Sequence, residues 1–212
     1  VNTSVDASTR WYNVTDLTEG DWIINVTVVF VNGKSSSATV LVHIDLTPPD
    51  VNVVVPINNT YINNQTVEIK WNVTDNYGYD HTEIFIDGVL EASTSATEYV
   101  KNLAEGDHEI KLVVYDYAGN VKNVTIIIHV DLTPPTISID SPVEDTYFNT
   151  TNINVSWSAS DNYGIDVFYI YVNGSYYGNI PSNVYNTTVT VSGEGYWAVS
   201  YTHLTLPTTE RV

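Results

Sequence analysis

Apolar and polar residues alternate along most of this chain with a period of two. Between Thr66 and Asp75, one face carries Val67, Ile69, Trp71 and Val73 and the other Glu68, Lys70, Asn72 and Thr74. That is the pattern of a half-buried strand. Val51, Val53 and Val55 begin a similar run that Pro56 stops, since proline cannot donate to a ladder. Segment 83–87 alternates Ile84 and Ile86 against Phe85 and ends at Gly88; 96–103 is a weaker strand closed by Glu105-Gly106-Asp107. Glu109–Tyr115 and Val121–Val130 predict the best hairpin, joined by Asp116-Tyr117-Ala118-Gly119-Asn120. No segment sustains a 3.6-residue apolar spacing, so no helix is predicted.

The same order of residues returns 86 positions later. Asp45-Leu46-Thr47-Pro48-Pro49 recurs as Asp131-Leu132-Thr133-Pro134-Pro135, Trp71 as Trp157, and Asp75-Asn76-Tyr77-Gly78 as Asp161-Asn162-Tyr163-Gly164. Glu19-Gly20-Asp21 returns as Glu105-Gly106-Asp107, and Gly88 as Gly174. Self-similarity at such a period marks an array of like units. Residues 45–130 form a complete unit, 1–44 the later part of one, and 131–198 one without its last strand. About seven short strands per unit predict an all-β fold of tandem β-sandwiches, the first and last truncated. Trp71 and Trp157 lie within alternating apolar sets and are the expected core anchors.

Residues from about Val199 stand apart. Val199-Ser200-Tyr201-Thr202-His203-Leu204-Thr205-Leu206-Pro207-Thr208 closely resembles the conceptual translation of a transposase adapter used to prepare sequencing libraries. On that reading 199–212 is a non-native tail.

Composition narrows the function. The chain has 212 residues, 25 acidic against 7 basic, and a formal net charge of −18. So few cations argue against nucleic acid or anionic lipid as a partner. Cysteine is absent, so no disulfide staples the units. No run of about 18 apolar residues offers a membrane span.

The series Trp71, Asp75-Asn76-x-Gly78, Asp87-Gly88, Glu105-Gly106-Asp107, Asp116-x-Ala118-Gly119-Asn120 and Asp131-x-Thr133-Pro134-Pro135 resembles the tandem immunoglobulin-like modules of bacterial and archaeal cell-surface proteins. It is similar, more loosely, to fibronectin type III domains. A fibronectin-type tyrosine at the start of the sixth strand is not evident; Trp22 and His108 stand near that place. The resemblance implies an extended, non-catalytic rod on the cell exterior whose partners are neighbouring modules and, outside the chain, surface glycans or proteins. Each Asp-Leu-Thr-Pro-Pro linker adds stiffness, since two prolines fix φ and bias the preceding residue toward extended geometry.

In such a sandwich the incoming linker and two loops meet at one pole. The first junction would gather Asp45, Asp75, Asp80 and Asp116 with Glu19 and Asp21; the second, Asp131, Asp161 and Asp166 with Glu105 and Asp107. Two readings stand side by side: Ca²⁺ bridging the junctions, or Asp and Asn filling turns because their side chains cap local backbone.

Eleven Asn-x-Ser/Thr triplets begin at Asn2, Asn13, Asn25, Asn58, Asn64, Asn72, Asn123, Asn149, Asn154, Asn173 and Asn186, where composition alone gives roughly four. They read either as glycosylation acceptors of an exported protein or as strand patterning, two polar groups outward and one apolar inward. No nucleophile elbow, metallohydrolase helix motif or phosphate-binding glycine loop is present, so no catalytic residue and no cofactor other than calcium is expected. The resulting expectation is a semi-rigid extracellular stalk or adhesin rod. Spacer modules of a secreted hydrolase, or carbohydrate-binding modules using exposed Tyr77, Tyr79, Tyr163 or Tyr177, are the alternatives.

Overall fold

The computed structural model describes residues 3–6, 8, 11–195 and 197–202, and every regular element among them is a strand. Strands β1 (Gly20–Val29) and β2 (Ser35–Ile44) form an antiparallel hairpin. A complete sandwich follows: β3 (Asp50–Val55), β4 (Thr60–Ile62), β5 (Thr66–Thr74), β6 (Tyr79–Ile86), β7 (Val89–Thr94), β8 (Glu98–Asn102), β9 (Gly106–Asp116) and β10 (Val121–Val130). The third unit holds β11 (Thr136–Ser141), β12 (Asn152–Ser160), β13 (Val167–Val172), β14 (Ser175–Pro181), β15 (Asn186–Thr190) and β16 (Val199–Thr202).

In the central unit the sheet β3-β5-β8 packs on the sheet β4-β10-β9-β6-β7. The chain crosses from one sheet to the other at the cis Val55–Pro56 bond, and β4 then pairs in parallel with β10. The inward faces meet in one core of Val67, Ile69, Trp71, Ile84, Ile110, Leu112 and Ile128, among others. A second, separate core in the third unit gathers Ile153, Val155, Trp157, Phe168, Ile170 and Val189. Trp71 and Trp157 are 2% and 4% exposed, each at the middle of its alternating strand.

Two elements escape the alternation rule. Strand β4 is only three residues long, and β7 is exposed at both Val89 and Leu90 before its partly buried Glu91 and Ala92. The β6–β7 hairpin is nonetheless encoded locally. Asp87 and Gly88 both have positive φ, 51° and 78°, as a two-residue turn matched to strand twist requires. Strand β16 pairs with β13, so Val199–Thr202 of the adapter-like segment occupies the place where a sixth strand begins.

The β1–β2 hairpin repeats β9–β10 residue for residue, yet its surroundings differ. Leu112 and Ile126 are buried, whereas their counterparts Val26 and Val40 are 67% and 54% exposed. The face that the central sandwich closes stands open there.

A tyrosine-like corner is present without tyrosine. The Trp22 indole N–H donates to the Thr18 carbonyl at 2.8 Å, His108 Nε2 to Ala104 at 3.0 Å, and the Trp197 indole to Gly193 at 3.2 Å. In all three units a ring N–H reaches back four residues, the role that the phenol plays in related sandwiches. His108 also places Nδ1 2.7 Å from Asp87 Oδ2. Burial works against its charge, but the Asp87 carboxylate and the Ala104 carbonyl outweigh that, and its pKa stands above the ordinary histidine value. A raised histidine pKa contributes stability below the unfolded value, and that contribution is lost as pH rises through the folded one. His108→Trp, which copies the neighbouring units, is therefore expected to flatten the loss of stability above about pH 6.5. Urea melts at about pH 5.5 and 8.5 would show it as equal midpoints in the variant and unequal ones in the parent.

Candidate functional site: the two junctions

The polar residues between units form a repeated latch. At the first junction Glu19, just ahead of β1, accepts hydrogen bonds from Thr47 Oγ1 at 2.7 and 2.9 Å and from Asn76 Nδ2 at 2.7 Å. Asp21 Oδ1 accepts from the Tyr77 hydroxyl at 2.9 Å and lies 2.7 Å from His43 Nδ1. At the second, Glu105 accepts from Thr133 Oγ1 at 2.6 Å and Asn162 Nδ2 at 2.7 Å. Asp107 Oδ1 accepts from Tyr163 at 2.9 Å and lies 2.7 Å from His129 Nδ1. Each latch ties the start of β1 or β9, the strand paired with it and the following linker to a loop of the next unit, β5–β6 at the first junction and β12–β13 at the second. Aromatic rings fill the space beside it. Tyr61 stacks on His129 at 4.5 Å and meets Tyr163 edge-on at 5.7 Å, and His43 lies 5.8 Å from Tyr77.

Charge keeps the latch closed at neutral pH. The Asp21 and Asp107 carboxyls are held below the usual carboxylate range, first by His43 and His129 and then by the Tyr77 and Tyr163 hydroxyls. The Tyr77 phenol is pushed up, first by its bond to Asp21. Tyr163 rises to about 12 through desolvation and then Asp107. Both phenols therefore remain protonated donors. A depressed carboxyl contributes above its unfolded pKa and loses that contribution as pH falls through the folded one, so the share of the latch that Asp21 and Asp107 supply is lost in acid.

Beneath the first latch the structure brings three of the eleven expected acidic positions together. One oxygen each from Asp45, Asp75 and Asp116 lies within 4.8 Å of the other two. Each also caps its own turn, so the capping reading describes one oxygen of each group. Asp45 Oδ1 accepts from Thr47 N, Asp75 Oδ1 from Tyr77 N and Gly78 N, and Asp116 Oδ1 from Asn120 N.

The other acids lie elsewhere. Glu19, Asp21, Glu105 and Asp107 are engaged in the latches. Asp80 is exposed and pairs with His81, because it sits on the outward face of β6; Asp166, its counterpart, is exposed too. At the second junction Asp131 and Asp161 repeat the turn geometry, with Oδ1 accepting from Thr133 N and from Tyr163 N and Gly164 N respectively.

The hydroxyls of the tyrosines named for sugar stacking bond within the protein. Tyr77 and Tyr163 belong to the latches, and the Tyr79 hydroxyl turns inward to Thr82 and the Thr94 carbonyl. Tyr177 bonds the backbone of Thr188 and Thr190. Sequence reasoning missed Thr47, Asn76 and His43 as latch partners. Their recurrence as Thr133, Asn162 and His129 was the signal that could have found them.

Residues 135–205 match the bacterial Ig domain family. No curated protein matches the chain in sequence. In structure it is similar to the fibronectin(III)-like modules of Clostridium thermocellum CbhA, with a TM-score of 0.51 and 18% identity over 72% of this chain and 84% of that one. Weaker likenesses are the central fibronectin-III array of RIM-binding protein (TM-score 0.30, 16% identity, 74% of this chain and 58% of that one) and the SGBP-B of the Bacteroides ovatus mixed-linkage glucan utilization locus (0.34, 16%, 73% and 44%). With the strand order and the ring-to-carbonyl corner in agreement, the chain has an all-β fold of tandem Ig-like, fibronectin-III-like sandwiches, and its residues 135–205 match the bacterial Ig domain family.

Proposed function

We propose that this array is a semi-rigid stalk or adhesin rod of an extracellular cell-surface protein, with no catalytic role of its own. The observation that carries the reading is the latch itself, the same four side-chain contacts built twice at an 86-residue spacing. A flexible tether has no use for such contacts; a rod that holds a distal domain at a set distance and angle does. The Pro-Pro linkers support the same geometry. Bacterial Ig domains are typically extracellular or surface-associated, and the acidic surface and exposed sequon asparagines Asn25, Asn72, Asn123 and Asn154 fit that location. A spacer in a larger secreted protein would require the same stiffness.

Stiffness is measurable because the chain has no native cysteine. Spin labels on Ser36→Cys and Ser95→Cys, both exposed, span the first junction. A single narrow distance distribution is expected in the parent. Asn76→Ala combined with Tyr77→Phe removes two of the four contacts and is expected to broaden it. A parent distribution as broad as the variant's would defeat the rod reading.

A further inference from the structure

We infer that Asp45, Asp75 and Asp116 form a calcium site that fastens the incoming linker to two loops of the central module, and that it is the one such site among the described residues. Two observations besides the clustering of carboxylates point to a cation. Asp45 is only 8% exposed, and its Oδ2 is fully buried with no hydrogen-bond donor among the described residues. Asp75 Oδ2 is in the same condition. An ionised oxygen deprived of both water and donors is costly, and three carboxylates within a few ångströms repel one another strongly in a partly dry pocket. Among the described residues no lysine, arginine or histidine pairs with any of the three.

Geometry and donor chemistry select the ion. Two oxygens on one calcium, each at about 2.4 Å, can stand no farther apart than about 4.8 Å, and the three oxygens lie within 4.8 Å of one another. All donors are hard oxygens, with neither thiolate nor imidazole, which disfavours zinc. The three groups arrive from three turns, each pinned through its Oδ1 by backbone N–H groups, so the inward oxygens are pre-positioned. Asn120 Nδ2 adds support, bonding both Asp116 Oδ2 and the Asp45 carbonyl. Water would complete the six to eight ligands that calcium takes.

Among the described residues no third carboxylate joins Asp131 and Asp161 at the second junction within the distance that one ion spans.

The test uses the full chain, stripped of metal and titrated with calcium chloride. One equivalent of binding is expected, with a melting midpoint that climbs with calcium concentration. Asp116→Asn keeps the oxygen that accepts from Asn120 N but loses the charge and the oxygen that accepts from Asn120 Nδ2; it should weaken binding at least about tenfold, the lower end of the cost even for outer-shell changes. Asp75→Asn provides the same reading should the first variant fold poorly, and Asp161→Asn should bind as the parent does. Absence of both heat and midpoint shift up to about 10 mM calcium, above the weakest class of extracellular calcium modules, would overturn the site. So would a shift that survives Asp116→Asn, or one lost in Asp161→Asn.

Discussion

Trp71→Ala is expected to cost the central sandwich about 3–5 kcal/mol, a large part of the stability that a domain of this size possesses. The indole lies between the two sheets at 2% exposure, packed in the cluster that Ile69, Ile84 and Leu112 share. Removing it withdraws an apolar surface of about 150–250 Å² and leaves a void that rigid strands on either side cannot close. Guanidinium unfolding of the full chain, followed by far-ultraviolet circular dichroism because Trp71 is the one tryptophan of residues 45–130, measures the loss. Because the third unit has its own core around Trp157, its transition should keep its midpoint while that of the central unit moves. A single shared shift would mean that the two cores unfold as one.

Thr82→Val should cost about 1–3 kcal/mol although the side chains are nearly the same shape. Thr82 is fully buried, and its hydroxyl accepts from the Trp71 indole at 3.2 Å and meets the Tyr79 hydroxyl at 2.9 Å. Valine fills the space but leaves the indole N–H without an acceptor, whereas Tyr79 retains the Thr94 carbonyl. The third unit shows the alternative solution. Phe168 stands where Thr82 would be, packs edge-on against Trp157 at 5.4 Å, and leaves the Trp157 Nε1 buried with no hydrogen-bond partner among the described residues. One core thus gives its indole N–H an acceptor, and the other packs a ring against the tryptophan in its place. Comparing denaturation midpoints of parent and variant tests the first; an unchanged midpoint would show that the indole finds another acceptor.

Most of the architecture was legible because its causes are local. Alternation around Trp71 and Trp157 declares strands whichever partner they find. Asp87-Gly88 declares a tight hairpin through its backbone geometry. Strand β7 was not legible, because Val89–Thr94 lies along a sheet edge where little is buried and alternation fades. Nor was β4, three residues whose only ladder is a parallel pairing with a strand nearly seventy positions on. The aromatic corner was half visible: Trp22 and His108 were in view, but their shared hydrogen bond to a carbonyl four residues back emerges only in three dimensions.

The chain alone determined that there would be repeated all-β units joined by Asp-Leu-Thr-Pro-Pro linkers, since proline, glycine and the period of two act within a few residues. Which carboxylates would meet was decided only by the packed sandwich. Eleven acidic side chains were candidates at the junctions, and the directions of the strands sent Glu19 and Asp21 to a latch, Asp80 to the surface, and Asp45, Asp75 and Asp116 inward to one another. Their separations along the chain are many times longer than any local pattern, so only the pairing of sheets could set those distances.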